Sequence, residues 1–212
     1  MKRNAIIIFI ISILGSINAS AGPKERIASY MNNLHLKYGI EWGYSATCFD
    51  KYHSVYFNPE VGYRIDNQGT DFFLYSNAYV SARVGVEMFR HYSLAILAGY
   101  AGVNQDRRLF PATVRATYFM DSYDTGGIMI FGEGGLGMTD VSEDVSNLFK
   151  LGTGYRLKMS MKSSLDFMAS LQLTKDHPGI YSAEIPGYIP DEYVRRSDNY
   201  YGAVSFSIAI SF

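Results

Sequence analysis

From Tyr200 to Phe212 the chain alternates without a break. One face reads Tyr200, Gly202, Val204, Phe206, Ile208, Ile210 and Phe212, and the other reads Tyr201, Ala203, Ser205, Ser207, Ala209 and Ser211. A repeat of two residues marks a strand, because successive side chains leave opposite faces of the pleat. The second face is the more informative. A strand in a soluble sandwich would turn Lys, Glu and Thr towards water, whereas small Ser and Ala suit the cramped inside of a narrow barrel.

The same period recurs along the chain. Leu34, Leu36, Tyr38, Ile40, Trp42 and Tyr44 alternate with His35, Lys37, Gly39, Glu41, Gly43 and Ser45. Further strands are expected at Ala78–Met88, Tyr92–Gly102, Phe110–Met120, Ile128–Met138, Leu148–Lys158 and Ser163–Thr174. Breaks rich in Gly and Asp, such as Asp121 to Gly126, separate them. Eight long strands result. Val55 to Ile65 also reads as extended. A barrel with both ends on one side needs an even number of strands, so this stretch is assigned to a long surface loop, Thr47–Leu74. A ten-stranded barrel using Pro23–Asn33 is the alternative. The expected fold is all-β: an eight-stranded antiparallel transmembrane β-barrel over residues 34–212.

The beginning of the chain supports that placement. Lys2 and Arg3 precede an apolar run, Ala5 to Leu14, and Ala19-Ser20-Ala21 supplies a small-x-small cleavage pattern. These are the three parts of a secretory signal, assigned to 1–21. Residues 22–33, with Lys24, Glu25 and Arg26, are assigned to a periplasmic tail. The apolar run is too short to span a bilayer as a helix. No later stretch is long enough either, so a mature chain that stays in a membrane must do so as a barrel. The expected location is the outer membrane of a Gram-negative bacterium. Short breaks at Arg90-His91, Asp121–Thr125 and Met159–Lys162 then face the periplasm. Those at Thr47–Leu74, Val103–Leu109, Thr139–Asn147 and Lys175–Asn199 face outward, the asymmetry expected of such barrels.

Composition adds to this. Charged residues make up 18%, and there are 18 tyrosines; Tyr suits a surface that meets both lipid and water. Tyr92 and Tyr100 are eight residues apart, as are Phe110 and Tyr118. At ~3.3 Å per residue and a tilt of ~40° that is about 20 Å of climb, near the height of an apolar band between two aromatic girdles. A net charge of −1 gives no reason to expect nucleic acid as a partner. The single cysteine, Cys48, cannot form an internal disulfide.

In these features the chain resembles the small outer-membrane β-barrel proteins of the Bacteroidetes type. The likeness is carried by Glu41-Trp42-Gly43-Tyr44-Ser45, Glu60-Val61-Gly62-Tyr63-Arg64, Gly99-Tyr100-Ala101-Gly102-Val103, Arg107-Arg108, Pro111, Arg115-Ala116-Thr117-Tyr118-Phe119 and the terminal Phe212. A terminal Phe after alternating apolar residues looks like the signal read by the barrel-assembly machinery. The resemblance implies a fold and no catalytic residues.

Candidate chemistry is sparse. The expected inward face carries Glu41, Arg83, Glu87, Arg115, Glu133, Lys150, Arg156 and Asp166. Charges in so narrow an interior must pair, so a salt-bridge plug is expected; a polar path for a narrow selective channel is the alternative. His91 and Ser93, two apart on one strand face, could serve acyl transfer in a lipid-modifying enzyme, although His91 falls at a periplasmic turn. His53, His91 and His177 lack metal-ligand spacing, and no cofactor is implied. Gly132-Glu133-Gly134-Gly135-Leu136-Gly137 lacks the Lys-Ser/Thr ending of a phosphate loop. The loops 47–74 and 175–199 are the expected recognition surface. The second holds Pro178, Pro186 and Pro190 with Tyr181, Tyr188, Tyr193, Arg195 and Arg196, residue types common in binding hot spots. The expected function is a structural or surface-binding barrel, with outer-membrane lipid, the assembly machinery and an extracellular ligand as partners.

Overall fold

A computed structural model describes residues 34–60, 62–104, 107–139, 145–160, 162–181 and 187–212. The segments 1–21 and 22–33 lie outside the described residues. Eight strands follow in order: β1 (His35–Asn58), β2 (Tyr63–Met88), β3 (Tyr92–Asn104), β4 (Arg107–Phe119), β5 (Gly127–Thr139), β6 (Val145–Lys158), β7 (Ser164–Asp176) and β8 (Val194–Ser211). Each pairs antiparallel with its sequence neighbour, and β8 returns to β1, closing an eight-stranded barrel. The ten-stranded alternative is thereby excluded. Closure satisfies the edge groups that an open sheet would leave unpaired.

The register sets the tilt. Following one rung from Tyr38 leads through Val84, Ile96, Val114, Gly134, Phe149, Leu173 and Gly202 to Phe49, eleven residues further along β1. An irregularity between Thr47 and Phe49 absorbs one of these. A stagger of ten over eight strands corresponds to a tilt of about 40° and a climb of about 2.5 Å per residue.

Alternation sorts side chains strictly. Ile40, Trp42, Val84, Ile96, Val114, Ile130, Leu151 and Leu171 are exposed on the outside. Glu41, Arg83, Glu87, Arg115, Glu133, Arg156 and Asp166 are buried inside. The inner face of β8 is small throughout, and Ala203, Ser205, Ser207, Ala209 and Ser211 are all buried. That leaves room at the axis for the long side chains of β2, β4 and β6. Apolar groups outside and ions within is the reverse of a water-soluble domain.

Three expected loops are corrected. Thr47–Leu74 is a ribbon: β1 and β2 stay paired up to Asn58↔Tyr63. The turn is confined to 59–62, where Gly62 takes φ +72° and its N–H donates to the Asn58 carbonyl. The stretch Val55–Ile65 straddles this turn. Asn67-Gln68-Gly69 imitates a loop in sequence, but a Cβ on Gly69 would lie 2.5 Å from the Tyr52 hydroxyl; the glycine admits a tyrosine instead of making a turn. Lys175–Asn199 also shrinks, since β7 runs to Asp176 and β8 begins at Val194. The break at Val103–Leu109 is likewise mostly strand, because β3 runs to Asn104 and β4 starts at Arg107. Beyond the barrel, β1, β2 and β8 therefore form a three-stranded sheet that projects from the end opposite the Arg90-His91, Asp121–Thr125 and Met159–Lys162 turns.

Candidate functional site

The enclosed ions form two clusters. In the first, Arg115 on β4 lies between Glu41 on β1 and Glu133 on β5. Its Nη1 and Nη2 donate to Glu41 at 2.6 and 3.0 Å, and its Nε and Nη2 donate to Glu133 at 2.8 and 2.6 Å. Thr113 donates to Glu133 at 2.8 Å, and Tyr79 and Ser207 donate to Glu41 at 3.2 Å. Lys150 adds a looser contact of 3.8 Å to Glu133 and rests 4.5 Å from the Tyr79 ring centre. Each carboxylate thus meets several donors, which a desolvated ion requires.

The second cluster centres on Arg156 of β6. Its Nε and Nη2 donate to Asp166 at 2.7 and 2.9 Å, and Nη1 donates to Glu87. Arg83 donates to the same Asp166 at 3.1 Å. Phe131 and Phe119 underlie the guanidinium groups of Arg115 and Arg156, at 4.6 and 4.4 Å. All eight charged residues expected on the lumen face are thus brought together, four of each sign, in neighbouring groups from six strands.

This lumen is filled. The cavity lined by Arg83, Ser93, Arg115, Met129, Arg156 and Asp166 holds about 10 Å³, the space of roughly one water. Towards the projecting sheet, Val103, Leu109, Leu148 and Tyr201 form a buried apolar layer. At the other end lies a layer that includes Phe119, Tyr123, Met129 and Phe131. The channel reading therefore has no continuous water-filled path among the described residues to draw on.

His91 and Ser93 do not converge. His91 precedes β3, after a turn in which Phe89 and Arg90 both take positive φ (51° and 63°). Its Nδ1 meets the Phe119 carbonyl at 3.0 Å and its ring stacks on Tyr118, whereas Ser93 lines the internal cavity. Strand parity does not extend across such a turn. The other histidines lie elsewhere: His53 meets Asp66 at 3.1 Å, and His177 Nδ1 meets the Ser197 carbonyl at 2.8 Å.

The projecting end carries the remaining candidates. Tyr181 and Tyr188 pair edge to face, with ring centres 6.3 Å apart, in a small bridge beside the buried Ile189. Tyr193 sits in a short 3₁₀ turn with its ring 6.1 Å from Phe57 of β1. Arg195 and Arg196 belong to β8 rather than to a loop. Asp198, two residues beyond Arg196, draws Arg196 Nε (2.7 Å), Lys175 Nζ (3.2 Å) and His177 Nδ1 (3.2 Å). Burial disfavours its charge, but the hydrogen bonds from Arg196 and Lys175 prevail and hold its carboxyl below the usual range. Cys48, at the irregularity in β1, is half-buried, with its Sγ 3.3 Å from the Ala46 carbonyl.

These features define an eight-stranded antiparallel barrel with a sealed ionic interior and an extended sheet at one end. No protein-family model matches the chain, and no curated protein matches it. Among solved structures it is similar to the crystal structure of Neisserial surface protein A, at 13% identity over 82% of this chain and 97% of that chain, with a TM-score of 0.45.

Proposed function

We propose that the protein is an outer-membrane barrel of the structural or surface-binding kind, sealed to solutes, which presents its projecting sheet outside a Gram-negative cell. One observation carries this: a belt of exposed apolar side chains encircles a charged interior. Water would penalise such a belt, while acyl chains accept it, and closure leaves no open sheet edge to face lipid. Tyr38, Tyr92, Tyr118 and Tyr155 border the belt at the end with the short turns, and Tyr44, Tyr100 and Phe110 border it at the other. Binding at the outer end is the finer part of the proposal. It is supported by the Tyr181–Tyr188 pair, both exposed, and by the exposed Arg195. Replacing residues 178–192 with a short Gly-Ser linker should leave β7 and β8 paired and the barrel folded, while cells displaying it lose adhesion to the surfaces that wild-type cells bind. Undiminished adhesion by the folded variant would exclude this loop as the recognition surface.

A further inference from the structure

The outward face of the projecting sheet is hollow. A groove of about 640 Å³ runs up it, with Leu173 and Phe49 at its lower end, Lys51, Thr70 and Tyr200 on the rung above, and His53, Gln68 and Arg196 further out. Its polarity is graded, apolar where it joins the belt and cationic further out. Lys51 stands seven residues beyond Tyr44 on β1, one of them taken up by the irregularity at Cys48. At about 2.5 Å of climb per residue it lies about 15 Å above the outer aromatic level. The headgroup layer of a plain phospholipid is only about 5–8 Å deep.

The charges around the groove are Lys51, Lys175, Arg196, His53 and His177 against Asp66 and Asp198. Asp198 is shared by Lys175, His177 and Arg196, and Asp66 meets His53. Lys51 has no ion-pair partner among the described residues. Arg196 meets Asp198 through Nε, and its terminal nitrogens have no partner among the described residues. Three permanent cations therefore face two carboxylates, with donors to spare at the top of the groove.

We propose that this groove binds an outer-leaflet glycolipid whose sugar headgroup carries phosphate. An acyl chain lies against Leu173 and Phe49, the sugars lie beside Tyr200 and Thr70, and their phosphates meet Lys51 on that rung and Arg196 above it. A tall headgroup is required because the cations stand too far out for a plain phosphodiester. The inference rests on the membrane reading above.

The test uses the full chain in neutral detergent, exchanged into four probes and read by native mass spectrometry. The probes are a diphosphorylated glucosamine-disaccharide lipid, its dephosphorylated form, phosphatidylglycerol and inorganic phosphate. The diphosphorylated lipid should be retained at least tenfold more than any other probe. Lys51→Glu should lower that retention at least tenfold while the barrel stays folded, and Lys51→Arg should keep it. Equal retention of the dephosphorylated form, retention of inorganic phosphate, or an unaffected Lys51→Glu variant overturns the site. A wild-type chain that does not enter vesicles at all overturns the membrane reading and the site together.

Discussion

Replacing Arg115 with methionine is expected to destabilise the folded barrel by about 3–5 kcal/mol, the cost of leaving buried ions without their partner. Arg115 supplies five hydrogen bonds, four of them to Glu41 and Glu133 and one to the Met168 sulfur. Once it is gone, Lys150 at 3.8 Å from Glu133 is, among the described residues, the remaining cation in contact with either carboxylate. Two negative groups would then share an enclosed space with one loosely held positive group. Removing the whole cluster should be far milder, since the desolvation cost goes with the ions. In the combined variant Glu41→Leu, Arg115→Met, Glu133→Leu and Lys150→Met, equal numbers of each sign disappear, and well-packed apolar replacements of buried ion groups are often neutral or stabilising. Urea unfolding in lipid vesicles, followed by the fluorescence of Trp42, the single tryptophan, measures both. A single variant as stable as wild type would mean that the lumen is hydrated and the ions are solvated.

The second large effect concerns the outside. Val114→Arg is expected to cost about 2–4 kcal/mol, while Met138→Arg should cost only about 0–1 kcal/mol. Both positions are exposed on the outer face. They differ in depth: Val114 lies midway between Tyr118 and Phe110 on β4, whereas Met138 pairs with Phe110 at the outer border of the belt. In water neither change would matter much, because a single exposed Val→Arg is a surface substitution. A depth-dependent penalty is thus specific to lipid. Equal, small effects at the two positions would argue that the belt meets something other than acyl chains.

The parts of this fold that were readable in sequence are those where the two faces of a strand meet different environments. Along Tyr200–Phe212, lipid-facing Phe and Ile contrast with enclosed Ser and Ala, so period, direction and inside-outside sense all follow. The eight enclosed charges were legible for the same reason, as ions at the inward parity of strands with apolar outward faces. That contrast fades above the belt. At Lys51, His53, Gln68 and Thr70 both faces of the sheet carry polar groups, and Asn67-Gln68-Gly69 reads as a turn. What holds this ribbon straight is pairing with β8, as in Val55↔Arg196, a contact between segments far apart in sequence. The groove is not legible either, because Lys51 and Arg196 come to line one hollow only across the seam where the last strand meets the first. His91 and Ser93 failed differently. Their spacing implies a common face, but the positive φ angles at Phe89 and Arg90 take His91 out of the pleat.

The orientation of the outer face can be measured through Trp42, which is exposed there between Tyr38 and Tyr44. In vesicles carrying bromine near the middle of the acyl chains its fluorescence should be strongly quenched, while iodide in the aqueous phase should leave it almost unchanged. Efficient quenching by iodide, with no response to brominated lipid, would place this face in water and contradict a barrel that spans the membrane.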